Sequence, residues 1–417
     1  MNEHSPLEEY RQDISRCVKC GSCNAVCPTY RHARDESYSA RGRMALVKAM
    51  LEGRITTSAA YQDRLASCTT CLACEAACPS GVPVTRIIQL AREQAIAGTG
   101  PGIVKTVIAA VVQRPVLFHA GARFGKAMLH LQQGQGSRGK GQGTRLRNAD
   151  CGLRNNEKPK KKNRGRVAFF PGCAIEHFQP EIGRAVVNVL AALGYETIIP
   201  RGLKCCGRPL LTLGDRKAAE KLAAHNTDIF SRVDADAIVT ACASCGLTFK
   251  KEYPTLLRSG AKAPAVMDIH EFLVRALAGS ELAPIRETVT WHDPCHLSRG
   301  QGLAKASRDV LKAIPGITFV EMRNADTCCG FGGLMRMSFR GLSDGIVEEK
   351  VKDIAASGAS MVATGCPGCR MQIADALMRR GSEIEVVHTV QLLEQALGIA
   401  DRELRIADCE AVGSGRK

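Results

Sequence analysis

The chain has 417 residues, 45 % of them apolar and 24 % charged, with aromatic residues at 4 % and one Trp. It therefore reads as soluble and globular, with cores of Ala, Val, Leu and Ile, and is long enough for two or three domains. Twenty cysteines exceed what packing needs. The polar segment Met1 to Arg16 carries no apolar leader and no run of 18 apolar residues occurs, which argues against a secreted disulfide scaffold and a spanning helix and for metal in the reducing cytoplasm.

Cys17, Cys20, Cys23 and Cys27, followed by Pro28, are spaced x2, x2, x3, and Cys68, Cys71, Cys74 and Cys78, followed by Pro79, repeat that spacing. This is the bacterial ferredoxin run, which binds [4Fe–4S] clusters. Three thiolates at two-residue gaps wrap three corners of a cube, and the fourth lies on the following turn, facing the second cube. The expected ligation is crossed: Cys17, Cys20, Cys23 and Cys78 for one cluster, Cys27, Cys68, Cys71 and Cys74 for the other. Gly21 lets the loop backbone come close to the sulfurs. Zinc typically uses two CxxC pairs around a gap and lacks the fourth cysteine before proline.

Between the runs, Arg41 to Gly53 has apolar residues at helical spacing and ends on Gly, and a second helix is predicted from Val84 to Ala97, after Pro83. Cluster loops separated by helices indicate an α-helical ferredoxin-type domain over residues 1–100. Residues 101–132 form a weakly amphipathic connector, read as helical and packed on its own domain, with docking on a membrane surface or partner as the alternative. Residues 133–166 are rich in Gly, Asn, Gln and Lys. Between Leu131 and Arg166 eleven Lys and Arg face Asp150 and Glu157, so a net +9 of the chain's +16 sits in one segment. It reads as a flexible tether. Attraction to an anionic membrane face or an acidic partner is the second reading; nucleic acid is disfavoured, since no aromatic residues interleave with the charges.

Past the linker the chain repeats itself. Cys173, then Cys205, Cys206 and Gly207, then Cys242 and Cys245, match Cys295, then Cys328, Cys329 and Gly330, then Cys366 and Cys369, at offsets of 122 to 124 residues. Each lead cysteine follows a short apolar strand (Arg166 to Phe170, Val289 to Trp291), and each CxxC follows another (Ala237 to Ala241, Met361 to Thr364). Helices are predicted over Pro180 to Leu193, Arg216 to Arg232, Ala304 to Ile314 and Asp344 to Ala356. Alternating strands and helices give two α/β units with largely parallel sheets, over 167–283 and 284–400, before a tail, 401–417. Five thiolates then converge from three loops at the carboxyl edge of each sheet. Such an all-sulfur site suits an iron–sulfur cluster or, less well, zinc. Adjacent cysteines cannot share one cube corner and five ligands exceed tetrahedral zinc, so a non-standard cluster resolves the count.

The motifs Cx31CCGx34CxxC and Cx32CCGx35CxxC resemble the cysteine-rich CCG domain of heterodisulfide reductase, anaerobic glycerol-3-phosphate dehydrogenase and the iron–sulfur subunits of glycolate and lactate oxidases. The domain order, and the segment GSCNAVCPTY…ARGRMALVKAMLEG…CTTCLACEAACPSGV, most resemble the iron–sulfur subunit of glycolate oxidase. The resemblance implies that Cys173, Cys205, Cys206, Cys242 and Cys245, and Cys295, Cys328, Cys329, Cys366 and Cys369, are ligands of non-cubane [4Fe–4S] clusters. Both CxxC pairs are complete here, whereas glycolate oxidase subunits often carry incomplete ones; this keeps a lactate-type or disulfide-type role open.

Cys151 and Cys409, in linker and tail, read as free thiols without a role. His177, His292 and His296 flank the lead cysteines as ordinary hydrogen-bonded residues or as proton carriers. No flavin or nucleotide fingerprint occurs. The resemblance implies an electron-transfer subunit of an oxidoreductase: an FAD-containing partner oxidises a 2-hydroxy acid, glycolate or D-lactate, and electrons pass through this chain to a quinone or similar acceptor at the inner face of the membrane. The alternatives are a disulfide-reducing enzyme and the iron–sulfur subunit of an anaerobic glycerol-3-phosphate dehydrogenase.

Overall fold

The computed structural model describes residues 6–99, 106, 164–257 and 264–399. The connector apart from Thr106, the linker up to residue 163 with Cys151, and the tail with Cys409 lie outside the described residues.

Residues 6–99 are helical, and no strand occurs among them. The expected helices are found at Ala40–Leu51 and Val84–Thr99, joined by Ala59–Ala66. Ser39 starts the first by accepting a hydrogen bond from Gly42 N, and Ser58 starts the middle one in the same way from Tyr61 N. Met44, Val47, Tyr61, Leu65, Ile87, Ile88 and Ala91 point into a shared core. Gly42 has a packing reason, because a Cβ there would collide with Glu36 O.

The remainder contains two parallel four-stranded sheets, ordered β2-β1-β3-β4 and β6-β5-β7-β8. The first comprises β1 (Gly165–Phe170), β2 (Tyr195–Ile198), β3 (Ala237–Thr240) and β4 (Val266–Asp268). The second comprises β5 (Thr288–His292), β6 (Thr318–Phe319), β7 (Met361–Thr364) and β8 (Glu385–His388). Val167 pairs with Ala237 in one sheet and Val289 with Met361 in the other, so the repeat holds at the level of register. The connecting helices run Pro180–Ala192, Arg216–Ser231, Ala304–Lys312 and Arg340–Ala356. The last begins four residues before the expected Asp344: its first turn, Arg340 to Ser343, lacks apolar periodicity, and the buried Ser343 hydroxyl bonds Gly330 O instead.

The carboxyl edges of the two sheets face each other. His388, ending β8, bonds Ala241 O beyond β3 at 3.0 Å, and His270, beyond β4, bonds Thr389 Oγ1 beyond β8 at 3.0 Å. Each helix that follows a lead cysteine packs on the helix that follows the other repeat's CxxC. Gln179 Nε2 donates to Pro367 O (2.9 Å) on one side and Gln301 Nε2 to Ala243 O (2.9 Å) on the other. One continuous core spans both sheets.

Candidate metal centres

The two ferredoxin-type loops are bent alike. Lys19 and Thr70 hold positive φ at the third position of their runs, and Gly21 and Leu72 hold it at the fifth. Leu72 adopts at φ +65° what Gly21 adopts freely, a strain of about 1 kcal/mol. The bend at Thr70 turns its amide inward, with Thr70 N 3.4 Å from Cys68 Sγ, and past the second run the bend at Gly81 places Val82 N 3.5 Å from Cys78 Sγ. Cys74 is buried, which pushes its thiol well up, and neighbouring Cys68, Cys71 and Cys27 add to the effect. Those four are the set expected for one cluster. Burial likewise raises the Cys23 thiol, with Cys17 and Cys27 contributing. Cys20 is exposed and Cys17 and Cys78 are half-buried, so this end of the module reaches the surface, where Val18 is 70 % exposed.

In the first repeat Cys173, Cys205, Cys206, Cys242 and Cys245 meet at the carboxyl edge of the sheet. Cys205 Sγ lies 3.8 Å from Cys173 Sγ. Bonds from Cys205 and Cys245 hold the Cys206 thiol well below its usual range, while the bond to Cys173 pushes Cys205 well up. In the second repeat Cys329 Sγ and Cys369 Sγ are 3.4 Å apart, and the Cys329 thiol is held well down by Cys328 and Cys369. Gly330 N, at 3.4 Å from Cys328 Sγ, directs an amide at the sulfur.

Spacing within each motif does not reveal that the sulfur groups touch one another. Cys71 of the ferredoxin-type module bonds Cys328, which also bonds Cys295. Cys242 of the first repeat bonds Cys366 of the second. A series of sulfur contacts thus runs from Cys71 through the second repeat to Cys173. The backbone supports these junctions: Arg299 Nε donates to Cys71 O (3.0 Å) and His296 Nε2 to Thr70 O (3.1 Å).

All eighteen described cysteines are free, and twelve are buried. So many soft donors packed sulfur to sulfur can ionise together only against positive charge. The chain has placed some of that charge already. Arg43 and Arg92 are buried guanidiniums, at 1 % and 4 % exposure, whose hydrogen bonds go to neutral groups. Arg43 bonds Arg64 O, Thr29 Oγ1 and Ser67 Oγ. Arg92 bonds Leu65 O, Cys68 O and Thr212 O, and burial lowers it to about 10 while Cys68 opposes the drop. A buried cation without a carboxylate partner is costly unless another anion is near, and iron-bound thiolates supply one. The donor set therefore fits iron–sulfur clusters.

Against known proteins, a 4Fe-4S dicluster domain matches residues 13–82, and a cysteine-rich domain, CCG, matches residues 167–250 and again 289–374. An uncharacterised iron–sulfur protein of Methanococcus maripaludis is 30 % identical over 92 % of this chain and 73 % of its own. The chain belongs to the CCG iron–sulfur family. A probable glycolate oxidase iron–sulfur subunit of Bacillus subtilis is 29 % identical over 93 % of this chain and 94 % of its own. A subunit of the dihydromethanophenazine:CoB–CoM heterodisulfide reductase of Methanosarcina barkeri is 28 % identical over 93 % and 95 %. As a CCG iron–sulfur protein with a dicluster domain, the chain carries two [4Fe–4S] clusters, and its role is that of an iron–sulfur electron-transfer subunit of an oxidoreductase with partner subunits. No helix among the described residues is long and apolar enough to cross a membrane.

The histidines separate. His296 is buried with both ring nitrogens engaged, Nε2 with Thr70 O and Nδ1 with Ser244 Oγ at 2.9 Å, and burial lowers it to about 3, so it is a neutral strut between modules. His177 is half-buried on the helix Gly172–Phe178. His292 is wholly buried beside Cys329 and Cys369. The residues that sequence reasoning missed are Arg43, Arg92, Arg208 and Arg299. Arg43 lies inside the helix recognised between the cysteine runs, but nothing local marks it as buried.

Proposed function

We propose that the chain is the iron–sulfur electron-transfer subunit of a flavin-linked 2-hydroxy acid dehydrogenase, passing electrons from an FAD-containing partner that oxidises glycolate or D-lactate to a quinone or similar acceptor. In this reading Cys17, Cys20, Cys23 and Cys78 hold one cubane and Cys27, Cys68, Cys71 and Cys74 the other. Cys173, Cys205, Cys206, Cys242 and Cys245, and Cys295, Cys328, Cys329, Cys366 and Cys369, hold the clusters of the two CCG domains. The domain limits, 1–100, 167–283 and 284–400, follow from those sets. The observation that carries the reading is the contact between Cys71 and Cys328, which joins the ferredoxin-type sulfurs to the CCG sulfurs in one series.

Bound clusters supply one-electron chemistry, so a two-electron flavin event can be divided into single transfers. The residues do the rest. The exposed Cys20 end is where a partner can approach closely. The buried Cys71–Cys328 and Cys242–Cys366 junctions exclude water from the interior of the series. Arg43 and Arg92 offset the negative charge of thiolates ionised around them.

The complete CxxC pairs and the facing sites at Cys242 and Cys366 favour a second reading, a disulfide-reducing enzyme. One anaerobic experiment separates the two. Affinity-purified full chain is expected to bring down an FAD-containing subunit, and glycolate or D-lactate should then reduce its clusters. If neither acid reduces them while a small-molecule disulfide oxidises the dithionite-reduced chain, the second reading replaces the first. An isolated chain with about two zinc ions and no iron removes both.

A further inference from the structure

The two repeats superimpose in sequence at an offset of 122 around their lead cysteines, which sets Cys295 opposite Cys173 and His292 opposite Phe170. His292 and Phe170 are the last residues of their strands, β5 and β1. Phe170 is ordinary core: its ring stands edge-on to Phe249 at 4.9 Å, and a Cβ built on Gly172 would touch both it and Cys245 Sγ. His292 occupies the matching place beside Cys369, the counterpart of Cys245. It is 0 % exposed, and neither ring nitrogen has a hydrogen-bond partner. A ring nitrogen of His292, Cys329 Sγ and Cys369 Sγ all lie within 4.8 Å of one another. Burying an imidazole with nothing to bond costs a few kcal/mol, and such a group in a folded protein calls for a partner. The polar atoms grouped with its ring nitrogen are the sulfurs of Cys329 and Cys369, two of the five thiols of the second site.

We propose that His292 donates a ring N–H to a sulfur of the cluster held by the second CCG site and thereby sets that site at a higher reduction potential than the first. This rests on the reading that Cys295, Cys328, Cys329, Cys366 and Cys369 bind iron. A hydrogen bond to sulfur stabilises the more negative, reduced form of a cluster and so raises its potential. Phe170 has no proton to give, so the first site lacks the effect. The asymmetry makes the second site, the one that touches the ferredoxin-type module through Cys71, the better electron trap of the pair. His292 is a tuning residue, and the five thiolates suffice as ligands.

The test uses the anaerobically purified full chain, with the second-site resonance identified as the one lost in Cys329→Ser. In a redox titration followed by electron paramagnetic resonance, His292→Phe is expected to lower the midpoint of that resonance, leaving the first CCG site and the dicluster module where they were. His292→Gln, which keeps an N–H, should fall between. In wild-type protein labelled with 15N-histidine the same resonance should carry a weak nitrogen coupling that vanishes in His292→Phe. An unmoved midpoint or an absent coupling overturns the proposal while leaving the ligand assignment intact. A strong coupling, or loss of second-site iron in His292→Phe alone, makes His292 a ligand and overturns the donor role. A wild-type chain with no second-site resonance overturns both this and the ligand reading. Should His292→Phe not fold, His292→Gln and the wild-type coupling decide.

Discussion

A guanidinium buried among carbonyl oxygens does two jobs in this chain. Arg92 ties helix Val84–Thr99 to the loop at Cys68 and to the first CCG domain at Thr212, and it places a positive charge beside the Cys68 sulfur. Arg92→Met keeps the apolar stem but removes the guanidinium donors to Leu65 O, Cys68 O and Thr212 O, of which Leu65 O keeps its bond from Cys68 N, so it should destabilise the iron-loaded protein by about 3 kcal/mol in anaerobic denaturant unfolding. Loss of the charge should also lower the midpoint potential of the cluster at Cys68, which a merely structural tie would not do. Cys71 tests the ligand assignment from the other side. Cys71→Ser is expected to remove about four irons from a chain that holds at least about eight, and to slow electron delivery without altering the partner's affinity for its acid. Unchanged turnover to the physiological acceptor would take the ferredoxin-type module off the path.

At the scale of elements, local sequence was a good guide wherever a short-range pattern imposes the geometry. The CxxCxxC loops had to fold around a common centre, because three donors at two-residue gaps leave no other tight arrangement. The strands before Cys173, Cys242, Cys295 and Cys366, and the helices between them, followed from apolar runs and periodicity that the repeat displays twice. What could not be read was which loops meet. Cys71 with Cys328 and Cys242 with Cys366 are pairings across modules, set by how two sheets and a helical unit dock, and no spacing encodes them. The polar caps at the sheet edges are of the same kind. His388 ends β8, accepts a bond from Val390 N as the cap of helix Thr389–Ala396, and reaches Ala241 O in the other sheet. Burial lowers it to about 3, so between pH 6.5 and 3 the unfolded chain takes a proton that the folded chain refuses. Its contribution to stability is therefore complete above pH 6.5 and is lost as the pH falls. His388→Asn keeps a cap acceptor without a titrating group. Its unfolding free energy should change less than that of wild type between pH 7 and pH 5.5; equal slopes would remove His388 from the acid sensitivity.

For the whole molecule, the dicluster module and the CCG pair are docked through backbone contacts that tolerate no extra atom. The segment after Gly330 folds onto the second cluster loop so closely that a Cβ on Gly332 would meet Thr69 O at 2.5 Å, and one on Gly333 would meet Cys68 O at 2.9 Å. Nearby, Arg208 bonds Thr70 Oγ1 at 3.1 Å and Glu252 at 2.8 Å, and Arg299 holds Cys71 O, so the same loop is clamped by both CCG domains. In the proposed route, electron transfer across Cys71 and Cys328 would depend on that clamp, whereas iron binding within each site would depend on its own thiols. Gly332→Val should separate the two. Because φ at Gly332 is not left-handed, Val is allowed locally, and the strain falls on the contact with Thr69. The expected variant keeps wild-type iron content and wild-type resonances from every site, yet shows slowed reoxidation of the dicluster module when the CCG sites are oxidised first in a rapid-mixing experiment. Unslowed reoxidation with full iron would mean that electrons cross between the modules somewhere other than Cys71 and Cys328.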